Sequence, residues 1–262
     1  MKFPINQEVM RHNLRRILGN DDLTLPGNYM VIDLETTGLV KGTHKIWQVG
    51  MYVVEAGIPR YDRGKNIWVA TDVADLRAAD FEINRRANLL REVPSDRPLR
   101  DGVYAQMEAE FINEVTTQGV PLDTVLHAVK DVITACVDAQ WPIVGQNSCR
   151  FDIPFLEWTY QQAGIDFQFP QTMIIDVGIL IKAARLGRRI APHETPKKFY
   201  FRVAAERARG VYYALERYCL GRYSLAEKYG VDIAQAHNAG FDTWLTHLVM
   251  KEMMAEAFAV GD

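Results

Sequence analysis

Hydrophobic and polar residues follow two different periods along the chain, and these periods predict its strands and helices. Short apolar runs rich in β-branched and aromatic residues, each bounded by glycine, proline or polar residues, are typical of buried strands. Five such runs occur, at residues 28–34, 46–55, 66–70, 142–145 and 172–176. Short connections join the first three, which favours an antiparallel meander.

Apolar residues at helical spacing predict helices in most of the remaining segments. The predicted helices span residues 6–18, 103–115, 121–136, 153–163 and 177–186, and a last helix ends near residue 257. Gly19, Gly119 and Gly164 follow three of them, and glycine commonly ends a helix. Residues 80–100 are expected to be irregular, because their prolines interrupt any regular pattern.

Composition restricts the classes of protein that the chain can belong to. With 262 residues and 48% hydrophobic content, it can bury a sizeable core. The net charge of −3 gives no global attraction to nucleic acid, so any such contact must come from local basic patches. Three cysteines without a Cys-x-x-Cys pair favour a reducing, cytoplasmic setting. We expect no membrane association, because the chain lacks both a long apolar run and the apolar core of a signal peptide.

The first predicted strand carries two carboxylates one residue apart, Asp33 and Glu35, and then runs into a Thr-Thr-Gly-Leu turn. Alternate side chains of a strand point to the same face, so the two carboxylates lie side by side. They repel each other and lose hydration there, and a divalent cation between them would offset both costs. Such a pair also arises by chance, so a metal site requires further ligands elsewhere in the chain.

Two later helix starts supply candidates for those ligands. Asp152 lies at or next to the N-cap of the helix predicted over residues 153–163. The helix dipole stabilises a carboxylate there, so an ordinary cap is the alternative role. If Asn238 caps the last helix, His237 precedes the helix and Asp242 lies in its first turn. Both side chains can then reach one point beside the helix start.

These elements together resemble the three exonuclease motifs of the DEDDh family. The chain has Asp-x-Glu on a strand, Asn-x-x-x-Phe-Asp before a helix and His-x-x-x-x-Asp before the last long helix. The family includes the proofreading epsilon subunit of bacterial replicative DNA polymerase, RNase T and oligoribonuclease. The resemblance covers roughly residues 28–250. It implies an α/β, ribonuclease H-like fold, with a mixed five-stranded sheet flanked by helices.

Position by position, the resemblance implies which residues bind metal, transfer the proton and contact the substrate. The metal-binding carboxylates would be those of Asp33, Glu35, Asp152 and Asp242. His237 would be the general base that deprotonates the attacking water. Hard oxygen ligands favour Mg²⁺ or Mn²⁺, and two such ions roughly 3.5–4 Å apart can hold the attacking and leaving oxygens of a phosphodiester. The terminal nucleotide would contact residues of the first two motifs, namely Thr36, Thr37, Leu39, Asn147 and Phe151.

The chain departs from the family pattern at two single positions and in one longer segment. Gln146 stands where the second motif commonly has histidine, and Gln48 stands where many members have glutamate. Residues 188–223 form an insertion, and Lys197 to Tyr223 hold seven basic, two acidic and seven aromatic residues. This composition suits phosphate contact and base stacking, through Lys197, Lys198 and Arg202 in particular. It equally suits a solvated helix lying over the sheet.

The resemblance leads to the expectation of a metal-dependent 3′–5′ exonuclease that releases nucleoside 5′-monophosphates from single-stranded nucleic acid, with DNA favoured. An RNA-trimming or oligoribonucleotide-degrading enzyme is the first alternative, and a catalytically silent module that binds nucleic acid or a polymerase is the second. Single-stranded 3′ ends are the expected partner, and a polymerase is a further candidate. We expect one domain over residues 1–262, with residues 1–27 as an N-terminal helical extension.

Overall fold

The computed structural model describes residues 6–19, 27–79, 82–83, 101–206, 229–230 and 238–258. The strands within these ranges are β1 (Tyr29–Thr36), β2 (Ile46–Glu55), β3 (Ile58–Trp68), β4 (Ile143–Gly145) and β5 (Ile174–Asp176). The helices are α1 (Gln7–Leu18), α2 (Val73–Arg77), α3 (Asp101–Gln118), α4 (Leu122–Asp138), α5 (Asp152–Gln162), α6 (Val177–Leu186), α7 (Pro196–Ala205) and α8 (Ala239–Phe258).

The five strands form one mixed sheet in the order β3-β2-β1-β4-β5. The pairs β1–β2 and β2–β3 are antiparallel, and the pairs β1–β4 and β4–β5 are parallel. The predicted meander and the ribonuclease H-like arrangement are therefore confirmed. Helix α6 has its predicted bounds, and α1, α3, α4 and α5 differ from theirs by at most three residues at either end.

The predicted third strand is wrong at its start. The apolar run predicts it at residues 66–70, but β3 begins at Ile58, directly after a two-residue turn. Ala56 and Gly57 form this turn with φ angles of 51° and 74°. Tight hairpin turns with two positive φ angles usually contain Asn-Gly or Asp-Gly, so Ala-Gly is a weak signal. Pro59 fits within β3 because this strand lies at the edge of the sheet.

Helix α1 is part of the main core. Asn6 caps it by accepting a hydrogen bond from the backbone N–H of Val9, and Gly19 ends it in the left-handed conformation. Its buried face packs against α6 and α8. The buried Asn13 donates from Nδ2 to the carbonyl of Arg188 and accepts at Oδ1 from the N–H of Ile190. These two bonds join α1 to the segment that precedes α7.

Helix α8 covers the sheet face on which the two candidate acids of β1 lie. Tyr29, at the start of β1, shares a buried hydrogen bond of 2.7 Å with His247 of α8. Tyr29, Asp33 and Glu35 point to the same face because they are an even number of residues apart. A second, smaller core surrounds Trp47, whose ring lies edge-on to Phe111 of α3 at 5.0 Å. In the described part of the chain, no helix combines the length and hydrophobicity needed to cross a membrane.

Candidate metal and nucleotide site

Three of the predicted acids lie together at one end of β1. Asp33, Glu35 and Asp242 each place a carboxylate oxygen within 4.8 Å of the others. Strand alternation brings the first two together, and the first turn of α8 supplies the third. Asp33 and Glu35 are half-buried, whereas Asp242 is only 3% exposed. Carboxylates this close repel one another, and an all-oxygen donor set suits a hard divalent cation such as Mg²⁺ or Mn²⁺.

A hydrogen bond connects the side chain of Asp152 to the backbone of the same strand. It is buried at the first residue of α5, and its Oδ1 accepts a hydrogen bond of 2.9 Å from the N–H of Leu34. Leu34 lies between Asp33 and Glu35, beyond the last β1–β4 register pair, Val31 with Val144. Asp152 is not among the three acids that lie within 4.8 Å of one another in the described residues. The hydrogen bond nevertheless holds its carboxylate beside the strand that carries two of them.

The loop before Asp152 is organised by Asp176, whose role the sequence analysis missed. Asp176 is fully buried, and its carboxylate accepts from the backbone N–H groups of Asn147, Cys149 and Ile179 at 3.0–3.1 Å. The bond from Ile179 is the N-cap of α6, so an aspartate directly before a predicted helix was the available signal. Burial raises the pKa of Asp176 to about 6, although the three hydrogen bonds favour its charged form.

The start of α8 matches the predicted cap. Asn238 Oδ1 accepts from the N–H groups of Gly240 and Phe241, and its carbonyl accepts from the N–H of Asp242 at 2.8 Å. This geometry places Asp242 in the first helical turn, facing the acids of β1. His237, the predicted general base, lies outside the described residues.

The Thr-Thr-Gly-Leu turn forms a compact loop beside the acids. Thr36 donates from its hydroxyl to the carbonyl of Gly38 at 2.7 Å. The buried Thr37 exchanges two hydrogen bonds with the backbone of Lys45, one through its hydroxyl and one through its N–H. Leu39 is 82% exposed at the tip of the loop. A large apolar side chain so exposed at the edge of an acidic site is available for contact with a bound molecule.

The other predicted substrate contacts lie around the second motif and α7. Asn147 is exposed with a φ of 60°, and Phe151 is half-buried with its ring 4.9 Å from that of Phe155. Lys197 and Lys198 are exposed in the first turn of α7. Lys197 also lines an open groove of about 590 Å³, together with residues of α5 and of the segment after it. The structure therefore leaves both lysines accessible to a polyanion.

Arg202 is differently placed from the two lysines. Its guanidinium makes two hydrogen bonds to the carboxylate of Glu194, at 2.7 and 2.8 Å, and lies 3.9 Å from Glu206. This pairing raises the pKa of Arg202 and lowers the pKa of Glu194. Arg202 is thus engaged within the protein, and the rest of the predicted insertion from residue 207 onward lies outside the described residues.

Comparison with known proteins gives matches among solved structures only. No protein-family model matches the chain, and no curated protein sequence matches it either. A structure of exonuclease I that suggests how processivity is achieved aligns with a TM-score of 0.52 and 12% identity, over 87% of this chain and 41% of its own. E. coli exonuclease I in complex with a dT13 oligonucleotide aligns with a TM-score of 0.51 and 13% identity. This alignment covers 88% of this chain and 41% of the exonuclease I chain.

A third structure, an ExoI/SSB-Ct complex, aligns with a TM-score of 0.51 and 11% identity, over 90% of this chain and 42% of its own. The chain therefore spans less than half the length of these three proteins. At such low identity the similarity shows a shared fold.

Proposed function

We propose that this protein is a metal-dependent 3′–5′ exonuclease that acts on single-stranded DNA and releases nucleoside 5′-monophosphates. The main support for this function is the convergence of Asp33, Glu35 and Asp242 within 4.8 Å of one another, at the end of the central strand β1, where Asp152 accepts a hydrogen bond from the N–H of Leu34. The fold shared with exonuclease I, which has been captured with a dT13 oligonucleotide, favours single-stranded DNA as the substrate. The similarities lend no support to a polymerase partner.

The four acids are the residues that would hold Mg²⁺ or Mn²⁺. When bound, the ions supply charge neutralisation and Lewis-acid activation for phosphodiester hydrolysis, and the proposal assigns two of them. The chain itself provides the donor geometry: β1 fixes two carboxylates, the backbone of Leu34 orients the third, and the first turn of α8 presents the fourth. We assign the proton transfer to His237, since a histidine with an ordinary pKa of about 6.5 accepts a proton at neutral pH.

The terminal nucleotide is proposed to lie between the Thr-Thr-Gly-Leu turn and the start of α5. The backbone of the turn is held by the Thr36 and Thr37 hydrogen bonds, so it forms a firm surface. Leu39 would pack against a base, and Phe151 would form another wall. Lys197 and Lys198 would contact phosphates further along the strand.

A direct test uses a 5′-labelled single-stranded oligonucleotide incubated with the protein and Mg²⁺, Mn²⁺ or EDTA. We expect a ladder of strands shortened from the 3′ end in either metal and no shortening in EDTA, with nucleoside 5′-monophosphates as the released product. The matched control is Asp138→Asn, which removes an exposed acid at the end of α4. It should cleave like the wild type, whereas Asp33→Asn should not.

Two other results would contradict this assignment. Binding of the strand without cleavage in any metal would favour a silent binding module. Preferential shortening of an RNA strand of the same sequence would favour an exoribonuclease, so matched DNA and RNA strands should be run together.

A further inference from the structure

The first turn of α8 lies on two rows of residues that cross the sheet. Asp33, Gly50 and Asn66 are register partners across β1, β2 and β3, and Glu35 and Gln48 are partners in the next row. Residues paired across neighbouring strands project to the same face. Gln48, Gly50 and Asn66 therefore share the face of the sheet that carries the two acids of β1.

Gly50 allows α8 to come unusually close to β2. A Cβ atom at this position would lie 2.2 Å from the carbonyl oxygen of Ala239, the first residue of α8. No side chain fits into that space, since carbon and oxygen atoms that are not bonded need more than 3 Å. The helix therefore begins in direct backbone contact with the strand, in the same row as Asp33.

Two amide side chains of the sheet bond to the helix start. Gln48 Oε1 accepts from the N–H of Ala239 at 2.8 Å, in a buried position. Asn66 Oδ1 accepts from the N–H of Gly240 at 3.2 Å, and Asn66 Nδ2 donates to Asn238 Oδ1 at 3.0 Å. The first N–H groups of a helix have no partner within the helix, so Gln48 satisfies the N–H of Ala239 in a buried position. The N–H of Gly240 is shared between Asn66 Oδ1 and Asn238 Oδ1.

We infer that Gln48 is a positioning residue of the site. By accepting from the N–H of Ala239, it holds the first turn of α8, and with it Asp242, at metal-binding distance from Asp33 and Glu35. Asp33 and Glu35 are held by the strand ladder, whereas Asp242 belongs to a separate element that three mutually repelling carboxylates would push away. Gln48 opposes that displacement, with Asn66 as the weaker, exposed second contact. The inference rests on the proposed function, because it assumes that the three acids bind metal.

The amide of Gln48 differs from a carboxylate at this position in its charge. Gln48 lies opposite Glu35 in the register, so a glutamate there would add another negative charge to the acid cluster. The glutamine carbonyl accepts the same hydrogen bond without that charge. Its Nε2 atom is buried and has no hydrogen-bond partner in the described part of the chain, so the bond to Ala239 is the contact through which this side chain acts.

The test measures backbone hydrogen exchange in the metal-free protein and Mn²⁺ affinity, both in the full chain. Gln48→Leu should raise the exchange rate of the amides from Ala239 to Asp242 at least about tenfold, because it removes the acceptor. It should also weaken Mn²⁺ binding by on the order of tenfold, as loss of a ligand-orienting partner does. Gln48→Glu keeps the acceptor and should restore the exchange protection. Val53→Ala, a core change in the same strand, should leave the exchange of these amides at the wild-type rate.

Asn66→Ala provides a second variant, because this exposed position tolerates the change even if Gln48→Leu folds poorly. It should raise exchange at Gly240 selectively. Wild-type exchange in both variants, or equal loss of protection in Gln48→Glu and Gln48→Leu, would overturn the inference. So would faster exchange in Gln48→Leu combined with unchanged Mn²⁺ affinity. A wild-type protein that fails to bind Mn²⁺ would instead refute the metal site of the proposed function.

Discussion

The backbone N–H of Leu34 donates to Asp152 Oδ1 at 2.9 Å, so the second motif is bonded to the residue that lies between the two acids of the first. The two residues are 118 positions apart in the chain. A carboxylate that accepts from a buried backbone N–H has a structural task in addition to any role as a metal ligand. The two roles can be separated by substitution.

Asp152→Asn keeps an oxygen that can accept from Leu34 but removes the charge. We expect it to unfold at the wild-type denaturant concentration while losing Mn²⁺ binding and cleavage. Asp152→Ala leaves the N–H of Leu34 without its partner, which costs about 1–3 kcal/mol of unfolding free energy. Denaturant titration of both variants, beside a cleavage assay, separates the two roles. Equal stability of the two variants would mean that the hydrogen bond contributes nothing.

Asp33→Ala removes one of three carboxylates that repel one another at close range. We expect the metal-free variant to unfold at the same temperature as the wild type or at a higher one, because the repulsion is reduced. Added Mn²⁺ should stabilise the wild type and not the variant, since binding to the folded state alone raises stability. Cleavage should fall by more than about 100-fold, beyond the usual effect of losing an outer-shell partner. A variant that still gains stability from Mn²⁺ would refute the assignment of Asp33 as a ligand.

His247 makes stability depend on pH in the acidic range. Burial, assisted by the charge of Lys251, lowers its pKa from 6.5 to about 4. In the unfolded chain His247 is therefore protonated below about pH 6.5, whereas in the folded chain it stays neutral down to about pH 4. Relative to His247→Gln, the wild type should lose about 3 kcal/mol of unfolding free energy as pH falls from 7 to 4. Denaturant titrations at several pH values measure the difference, and a difference that does not change with pH would contradict the assigned pKa.

Asp176 should act in the opposite direction. Its pKa is raised to about 6 in the folded protein from an ordinary value of 3.8, so its contribution to stability is full below pH 3.8 and is lost as pH rises through 6. Relative to Asp176→Asn, the wild type should lose about 2 kcal/mol of unfolding free energy as pH rises from 4 to 7. If the difference instead rises with pH, the carboxylate has a lowered pKa.

Asp176→Asn also places an NH₂ group where Oδ2 accepts from the N–H of Cys149. The loop that leads to Asp152 should then loosen. We expect faster hydrogen exchange at Asn147 and Cys149 and weaker Mn²⁺ binding at pH 7, where the wild-type carboxylate is charged. Asp138→Asn, on the surface, is the matched control.

Lys197 and Lys198 should contribute to strand binding more than Arg202 does. Both lysines are exposed at the start of α7, whereas Arg202 is held by Glu194. Each phosphate contact on a single strand adds about 0.7 to the slope of log affinity against log salt. The double variant Lys197→Ala with Lys198→Ala should therefore flatten this slope by about 1.4, and Arg202→Ala should change it by less. An unchanged slope in the double variant would show that the two lysines do not contact the phosphates of the strand.

The sequence by itself determined the parts of this protein that depend on local patterning. Alternating apolar residues predicted β1 with Asp33 and Glu35 on one face, and cap residues predicted the helix starts that carry Asp152 and Asp242. A tight Ala-Gly turn with positive φ angles concealed the true start of β3, because neither residue type signals that conformation strongly.

Only the tertiary structure decided how these elements are held together. The hydrogen bonds from Leu34 to Asp152 and from Ala239 to Gln48 join residues 118 and 191 positions apart. Asp176 accepts hydrogen bonds from backbone N–H groups of two separate segments. Periodicity and capping describe neighbours within a few positions along the chain. A buried side chain that satisfies a distant backbone N–H is chosen by the packing of whole elements, and no local pattern encodes that choice.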